Sequence, residues 1–223
     1  MVNWNKTYKK YHGRLAFGGI DLSSVSDLTV WVLIFPDPEE WERLDVLCRI
    51  WCPEARLTDR KNKYRAQYQG WAREGYISAT EGNAIDYDYI RYQIVKDAQV
   101  INIDSIGIDR LFQGYEFTQK LNQELYGSEK FPKVYTCGMG YLSMAGLCQE
   151  LERRLLLKLI NHGGNPVLRW MADNVAVSMD PAGNRKPNKS ESQGKIDGII
   201  GLLLALDRHM RTDAAPMPMP AYF

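Results

Sequence analysis

The run LTVWVLIF at positions 28–35 constrains this chain more than any other segment. Both alternating sets are apolar: Leu28, Val30, Val32 and Ile34 on one face, Trp31, Leu33 and Phe35 on the other. A strand of that kind belongs inside a sheet covered on both sides. Pro36-Asp37-Pro38 ends it, since proline cannot continue a sheet ladder. Residues 14–22 read as a preceding strand joined to it by the short turn 23–27, which makes a hairpin. A third strand is predicted near 43–51, followed by a polar helix over 58–74 closed by Gly75.

The rhythm then changes. A short strand at 76–80, a helix from about Asp86, a strand at 100–108 and a helix at 112–126 alternate as β-α-β-α. A strand at 133–137, a long helix over 142–162 stopped by Gly163-Gly164 and a last helix over 196–210 complete the series. Three antiparallel strands followed by βα units predict a mixed α/β sheet with helices on both faces, the RNase H-like order of elements.

A length of 223 residues suits one domain with a substantial core. Residues 14–211 are assigned to it. The polar, basic and aromatic stretch 1–13 reads as a linker, and the tail 212–223, with three prolines, as a flexible end.

The 28 basic side chains nearly balance 27 acidic ones, so net charge names no partner. Locally, 184–195 carries Arg185, Lys186, Lys189 and Lys195 against Glu191 alone, and the glycine and asparagine around 180–188 suggest a β-hairpin or a flexible loop. Cys48, Cys52, Cys137 and Cys148 form no CxxC and have no histidine close by, so structural zinc is not expected. Without a secretory signal or an apolar run of about 18 residues, reduced thiols in a cytoplasm are expected. A phosphate-binding P-loop is excluded because Asn188 stands where the glycine before Lys189-Ser190 would have to be.

Three aspartates adjoin apolar sequence, where a charge costs several kcal/mol of desolvation unless compensated. Asp21 ends FGGID, Asp109 ends INIDSIGID, and Asp197 opens IDGIIGLLLALD. Taken singly, each has a plainer reading as a turn former or a helix cap. Taken together, carboxylates at two strand ends and on a late helix suggest convergence on a hard divalent cation, Mg2+ or Mn2+.

The stretch GGIDLSSVSDLTVWVLIFP resembles the first nuclease motif of tailed-phage large terminases, an acid at a strand end followed by a short turn and a second acid. WAREGYISATEGNAIDYDYI, SIGIDRLFQGYEFTQKL and WMADNVAVSMDPAGNRKPNKSESQGKIDGIIGLLLALDR resemble later segments of that nuclease domain, so the likeness spans roughly 15–208. The resemblance implies an RNase H-like endonuclease acting on double-stranded DNA in genome packaging. It further implies Asp21, Asp109 and Asp197 as the metal-binding triad. Asp27 matches the motif's second acid or merely orients the turn; Asp104 shares its strand with Asp109 but, five positions away, points to the other face unless a bulge intervenes.

Two ions about 3.5 to 4 Å apart, bridged by Asp21, would activate a water and neutralise the leaving oxygen. Lys195, foremost, with Lys189, Lys186 and Arg185, would hold phosphates without reading bases; a solvated lysine is the competing reading. The resemblance also implies an ATPase half, a small terminase subunit and a portal as partners in the full-length protein, in the host cell cytoplasm and away from any membrane. Two other classes remain open. IDLSSVSDLTV also resembles the phosphate loop of actin-like sugar kinases, although the length and the lack of a second glycine-rich loop speak against a phosphotransferase. A non-catalytic DNA clamp would use the basic hairpin and bind no metal.

Overall fold

A computed structural model describes residues 4–23, 27–109, 114–127 and 133–212. It opens with helix α1 (Trp4–Tyr11) and strands β1 (Leu15–Asp21), β2 (Thr29–Pro36) and β3 (Leu44–Pro53). Short helices α2 (Ala55–Thr58) and α3 (Arg65–Arg73), strand β4 (Ser78–Thr80) and helix α4 (Tyr87–Ala98) follow. Next come β5 (Asn102–Asp109), α5 (Gly114–Tyr126), β6 (Val134–Cys137) and α6 (Tyr141–Leu156). The chain finishes with β7 (Ile160–Asn161), α7 (Pro166–Asn174), β8 (Val177–Met179), β9 (Arg185–Pro187) and α8 (Asp197–Met210).

The main sheet runs β4-β3-β2-β1-β5-β6, with β7 beside β3. β1, β2 and β3 are antiparallel neighbours, while β5 and β6 continue in parallel with β1. Every residue of β2 is buried, as its two-faced apolar pattern requires. Its side chains divide between two cores. Val30, Val32 and Ile34 meet α6, α7 and α8 on one face, and Trp31, Leu33 and Phe35 meet α4 and α5 on the other.

Four expectations need correction. The supposed linker at 1–13 contains α1, and Tyr11 is buried. Its anchor is remote: Tyr8 donates to Asp97 at 2.7 Å, and Arg49 stacks on Trp4 with 3.4 Å to the ring centroid. The helix expected over 58–74 is broken, because Asn62 donates to the Arg56 carbonyl and accepts from the Tyr64 amide, which diverts the backbone from helical bonding. The helix expected over 142–162 stops at Leu156, where Lys158 turns left-handed (φ 57°) and sends Ile160–Asn161 alongside β3. α7 is an unexpected element, although Asn165 caps it by accepting from Val167 and Leu168 and Pro166 fills its first turn. The first residues of the helix expected at 112–126 and the tail beyond 212 lie outside the described residues.

Candidate active site

The close seating of α8 organises the site. A Cβ on Gly19 would lie 1.9 Å from the Gly201 carbonyl oxygen and 2.5 Å from the Ala205 nitrogen; one on Gly107 would lie 2.7 Å from the Leu204 oxygen. Glycine at both strand positions therefore lets the helix main chain touch the sheet main chain. Asp21 and Asp109 each lie two residues beyond one of these glycines, hence on the same face. Their strands run parallel with Ile20 opposite Ile108, so the two strand ends are neighbours about 4.8 Å apart. Asp197 starts α8 above them.

Lys189 joins two of these acids. Its ammonium donates to Asp21 Oδ2 at 2.7 Å and to Asp197 Oδ1 at 2.9 Å. Asp21 and Asp197 are only 2% and 6% exposed, whereas the lysine side chain is half-exposed. The other oxygen of Asp197 is buried without a hydrogen-bond partner. Burial raises the pKa of the Asp21 carboxyl; Lys189 opposes that rise, and the negative charges of Asp197 and Asp109 add to it. Burial works against the charged form of Lys189, but Asp21 and Asp197 overcome it and hold the ammonium protonated.

This donor set fits a hard divalent cation: hard oxygens, a positive charge already placed between them, and one orphaned oxygen. Among the described residues no three His, Cys, Asp or Glu side chains are gathered into a ready-made cage. Like charges crowd at a cost, and here the ammonium of Lys189 lies between Asp21 and Asp197.

The remaining predicted residues divide. Asp27 is ion-paired with Lys195 and its other oxygen accepts from the Leu28 amide. Lys195, the foremost phosphate candidate, thus has an internal partner. Arg185 pairs with Glu152 at 2.8 Å, and Lys186 lies over the Tyr141 ring at 4.8 Å, both outside the carboxylate cluster. Asp104 is placed away from it: the β1–β5 register does slip beside Asp104, but five residues along the strand put it about 16 Å from Asp109.

A polar cleft of about 400 Å3 is lined by Asp27, Lys189, Lys195 and Asp197 together with Lys63 and Tyr64, which sequence reasoning missed. Tyr64 donates to the Gln193 carbonyl at 2.7 Å and Lys63 to the same oxygen at 3.3 Å. No local signal marks these two, because only the tertiary path of 188–196 brings them to the acids. A larger cavity of about 510 Å3 between α6, α7 and β8–β9 is walled by Leu151, Leu168 and Leu203 and holds no acid cluster, so the smaller cleft is the candidate site. Among the described residues no helix is long and apolar enough to cross a membrane.

Residues 4–213 match the model of the terminase large subunit, endonuclease domain. The chain is 31% identical over 191 residues to the terminase large subunit of Enterobacteria phage HK97, covering 85% of this chain and 36% of that protein. It is 25% identical to protein YmfN of Escherichia coli strain K12, covering 94% of this chain and 48% of that one. It therefore spans between a third and a half of the length of these relatives. The crystal structure of the HK97 large terminase superposes with a TM-score of 0.74 at 27% identity, over 92% of this chain and 42% of that chain. The nuclease of the large terminase from thermophilic phage G20c, with bound magnesium, shares the fold at a TM-score of 0.56 and 10% identity, over 88% of this chain and 84% of that one.

Proposed function

The chain belongs to the endonuclease-domain family of terminase large subunits and has an RNase H-like fold, and from that premise we propose that it is a metal-dependent endonuclease hydrolysing phosphodiesters of double-stranded DNA during viral genome packaging. The observation that carries the proposal is the pair of nearly buried aspartates, one from β1 and one from α8, facing a single ammonium with a further oxygen unsatisfied. Carboxylates so placed are costly unless they serve a cation.

Asp21, Asp197 and Asp109 would hold Mg2+ or Mn2+, as two ions. The G20c nuclease, which shares this fold, carries bound magnesium. Such ions supply acidity to the attacking water and positive charge to the leaving oxygen. The chain's own residues do the rest. Asp21 is fixed by the strand and Asp197 by the helix, so their separation is set before substrate arrives. Lys63 and Lys195 give the cleft positive charge for the DNA backbone, and contacts to phosphates carry no base preference. Asp27 positions Lys195; Asp104 has no part. In the full-length protein an ATPase segment, a small terminase subunit and a portal would complete the packaging machine, in the host cytoplasm.

The test is nicking of supercoiled plasmid in Mn2+ by the wild type, Asp21→Ala and Asp197→Ala, with folding checked by circular dichroism. Losing a group that merely orients a metal ligand costs about 10- to 100-fold, so each variant should lose at least about 100-fold. Full nicking by either variant, or salt-sensitive DNA binding by the wild type with no cleavage in any metal, would refute the assignment.

A further inference from the structure

Lys189 reaches Asp21 and Asp197 from the turn after β9, and the role inferred for it rests on reading those acids as ligands of a divalent cation. That turn is well anchored: Asn188 Oδ1 accepts from the Ser190 amide at 3.0 Å and the Ser190 hydroxyl at 2.7 Å, and the Asn188 amide group donates to Ser178 Oγ at 2.6 Å. The Asn188 main-chain nitrogen donates to the Ala176 carbonyl at 2.9 Å. The lysine backbone is thus held by the hairpin, whereas its side chain is half-exposed and enters from solvent.

We propose that Lys189 is a built-in competitor for the divalent cation, an ammonium that occupies the position between Asp21 Oδ2 and Asp197 Oδ1 and has to leave before an ion can bind there. The geometry makes the two occupants exclusive. A nitrogen within 3 Å of both oxygens fills the space in which an ion would sit about 2.0 to 2.2 Å from each, and both carry positive charge. Exchange needs only rotation of a long, flexible stem, because the turn carrying it keeps its own bonds to Asn188. The lysine also has a purpose in the absence of metal: it offsets the repulsion between two buried carboxylates, so α8 can stay seated on β1. Metal loading would therefore replace a singly charged ammonium by a doubly charged ion and leave a free ammonium at the mouth of the cleft that Lys63 and Tyr64 line.

The experiment measures Mn2+ binding to the whole chain without DNA, by titration calorimetry and by the electron paramagnetic resonance signal of free Mn2+. If the lysine-closed state holds about 90 to 99% of molecules, removing it tightens apparent affinity about 10- to 100-fold. Lys189→Met, which keeps the stem and drops the charge, should show that gain, Lys189→Gln should follow it, and Lys189→Arg should stay close to wild type. Should Lys189→Met bind Mn2+ no tighter than wild type while Asp197→Asn loses binding, competition is refuted and the metal-site reading survives. Unchanged binding in Asp197→Asn would overturn both. Melting curves guard against a merely misfolded variant: Lys189→Met should melt lower than wild type without metal and gain more on adding Mn2+, and equal gains would also refute competition.

Discussion

Gly19→Ala isolates the contact on which the site depends. The added methyl would sit 1.9 Å from the Gly201 carbonyl oxygen and 2.5 Å from the Ala205 nitrogen, both main-chain atoms of α8 that have no rotamer in which to escape. Ordinary contact requires about 3.5 Å, so the helix has to withdraw by about 1.5 Å. Overpacking of this kind costs about 1 to 3 kcal/mol, and with backbone on the opposing side the upper end applies. The same withdrawal carries Asp197 away from Asp21, and a misplacement of about 1 Å in a catalytic geometry can cost about 100-fold in rate. Urea unfolding should therefore show a lower midpoint at an unchanged slope, and plasmid nicking should fall in parallel. Gly146→Ala supplies the contrast, because Gly146 lies exposed within α6 with nothing near its would-be Cβ, and alanine there should stabilise by about 0.5 to 1 kcal/mol. If Gly19→Ala unfolded at the wild-type midpoint with full activity, the close seating of α8 would not be what sets the acid geometry.

Acid should destabilise the chain through His209, whose ring is buried against Phe17 and Trp41 and receives a hydrogen bond from Arg154. Burial first, and Arg154 second, push its pKa down to about 4. The unfolded chain takes up that proton near 6.5, so the stabilisation is whole above 6.5 and is lost as pH falls toward 4, by at most about 3 kcal/mol. The drop in urea midpoint from pH 7.5 to 4.5 should be smaller in His209→Gln than in wild type; an identical pH dependence would refute this. Asp97 accepts from Arg49 twice, from the Trp31 indole and from the Tyr8 hydroxyl while wholly buried, so Asp97→Ala should cost about 3 to 5 kcal/mol in denaturant unfolding. Adding Arg49→Met to that variant should recover part of the loss, because it removes the stranded cation, and a purely additive double variant would count against the ion-pair account.

These perturbations mark where sequence is informative. β2 is legible because an apolar pattern on both faces has few other uses, and the start of α4 because Asp86 is a capping residue whose side chain accepts from the Tyr89 amide. α1 is not legible, since its partners Arg49 and Asp97 lie far along the chain and its own composition is that of a solvated segment. The end of α6 is hidden for a similar reason. Leu155, Leu156 and Leu157 extend the helical pattern, yet pairing of Ile160 with Leu44 decides where the helix yields. At the site, the acids stand out as charges beside apolar runs, whereas Lys189 reads as one basic residue among four. Its partner Asp21 is 168 residues away, and a long-range ion pair leaves no periodic trace.

The glycines carry a signal that is written in residue spacing alone. In a strand, residues two apart share a face, so Gly19 and Asp21, like Gly107 and Asp109, point to the same side of the sheet. In a helix, residues four apart share a face, so Gly201 lies one turn below Asp197 on the side turned toward β1. The spacing that removes side chains to admit a close helix is thus the spacing that places each carboxylate at the edge of the contact. A Gly-x-Asp at two parallel strand ends with an Asp-x-x-x-Gly opening an apolar helix then implies more than three isolated acids. It implies a backbone-to-backbone junction with carboxylates at its open end, where Lys189 supplies positive charge to Asp21 and Asp197.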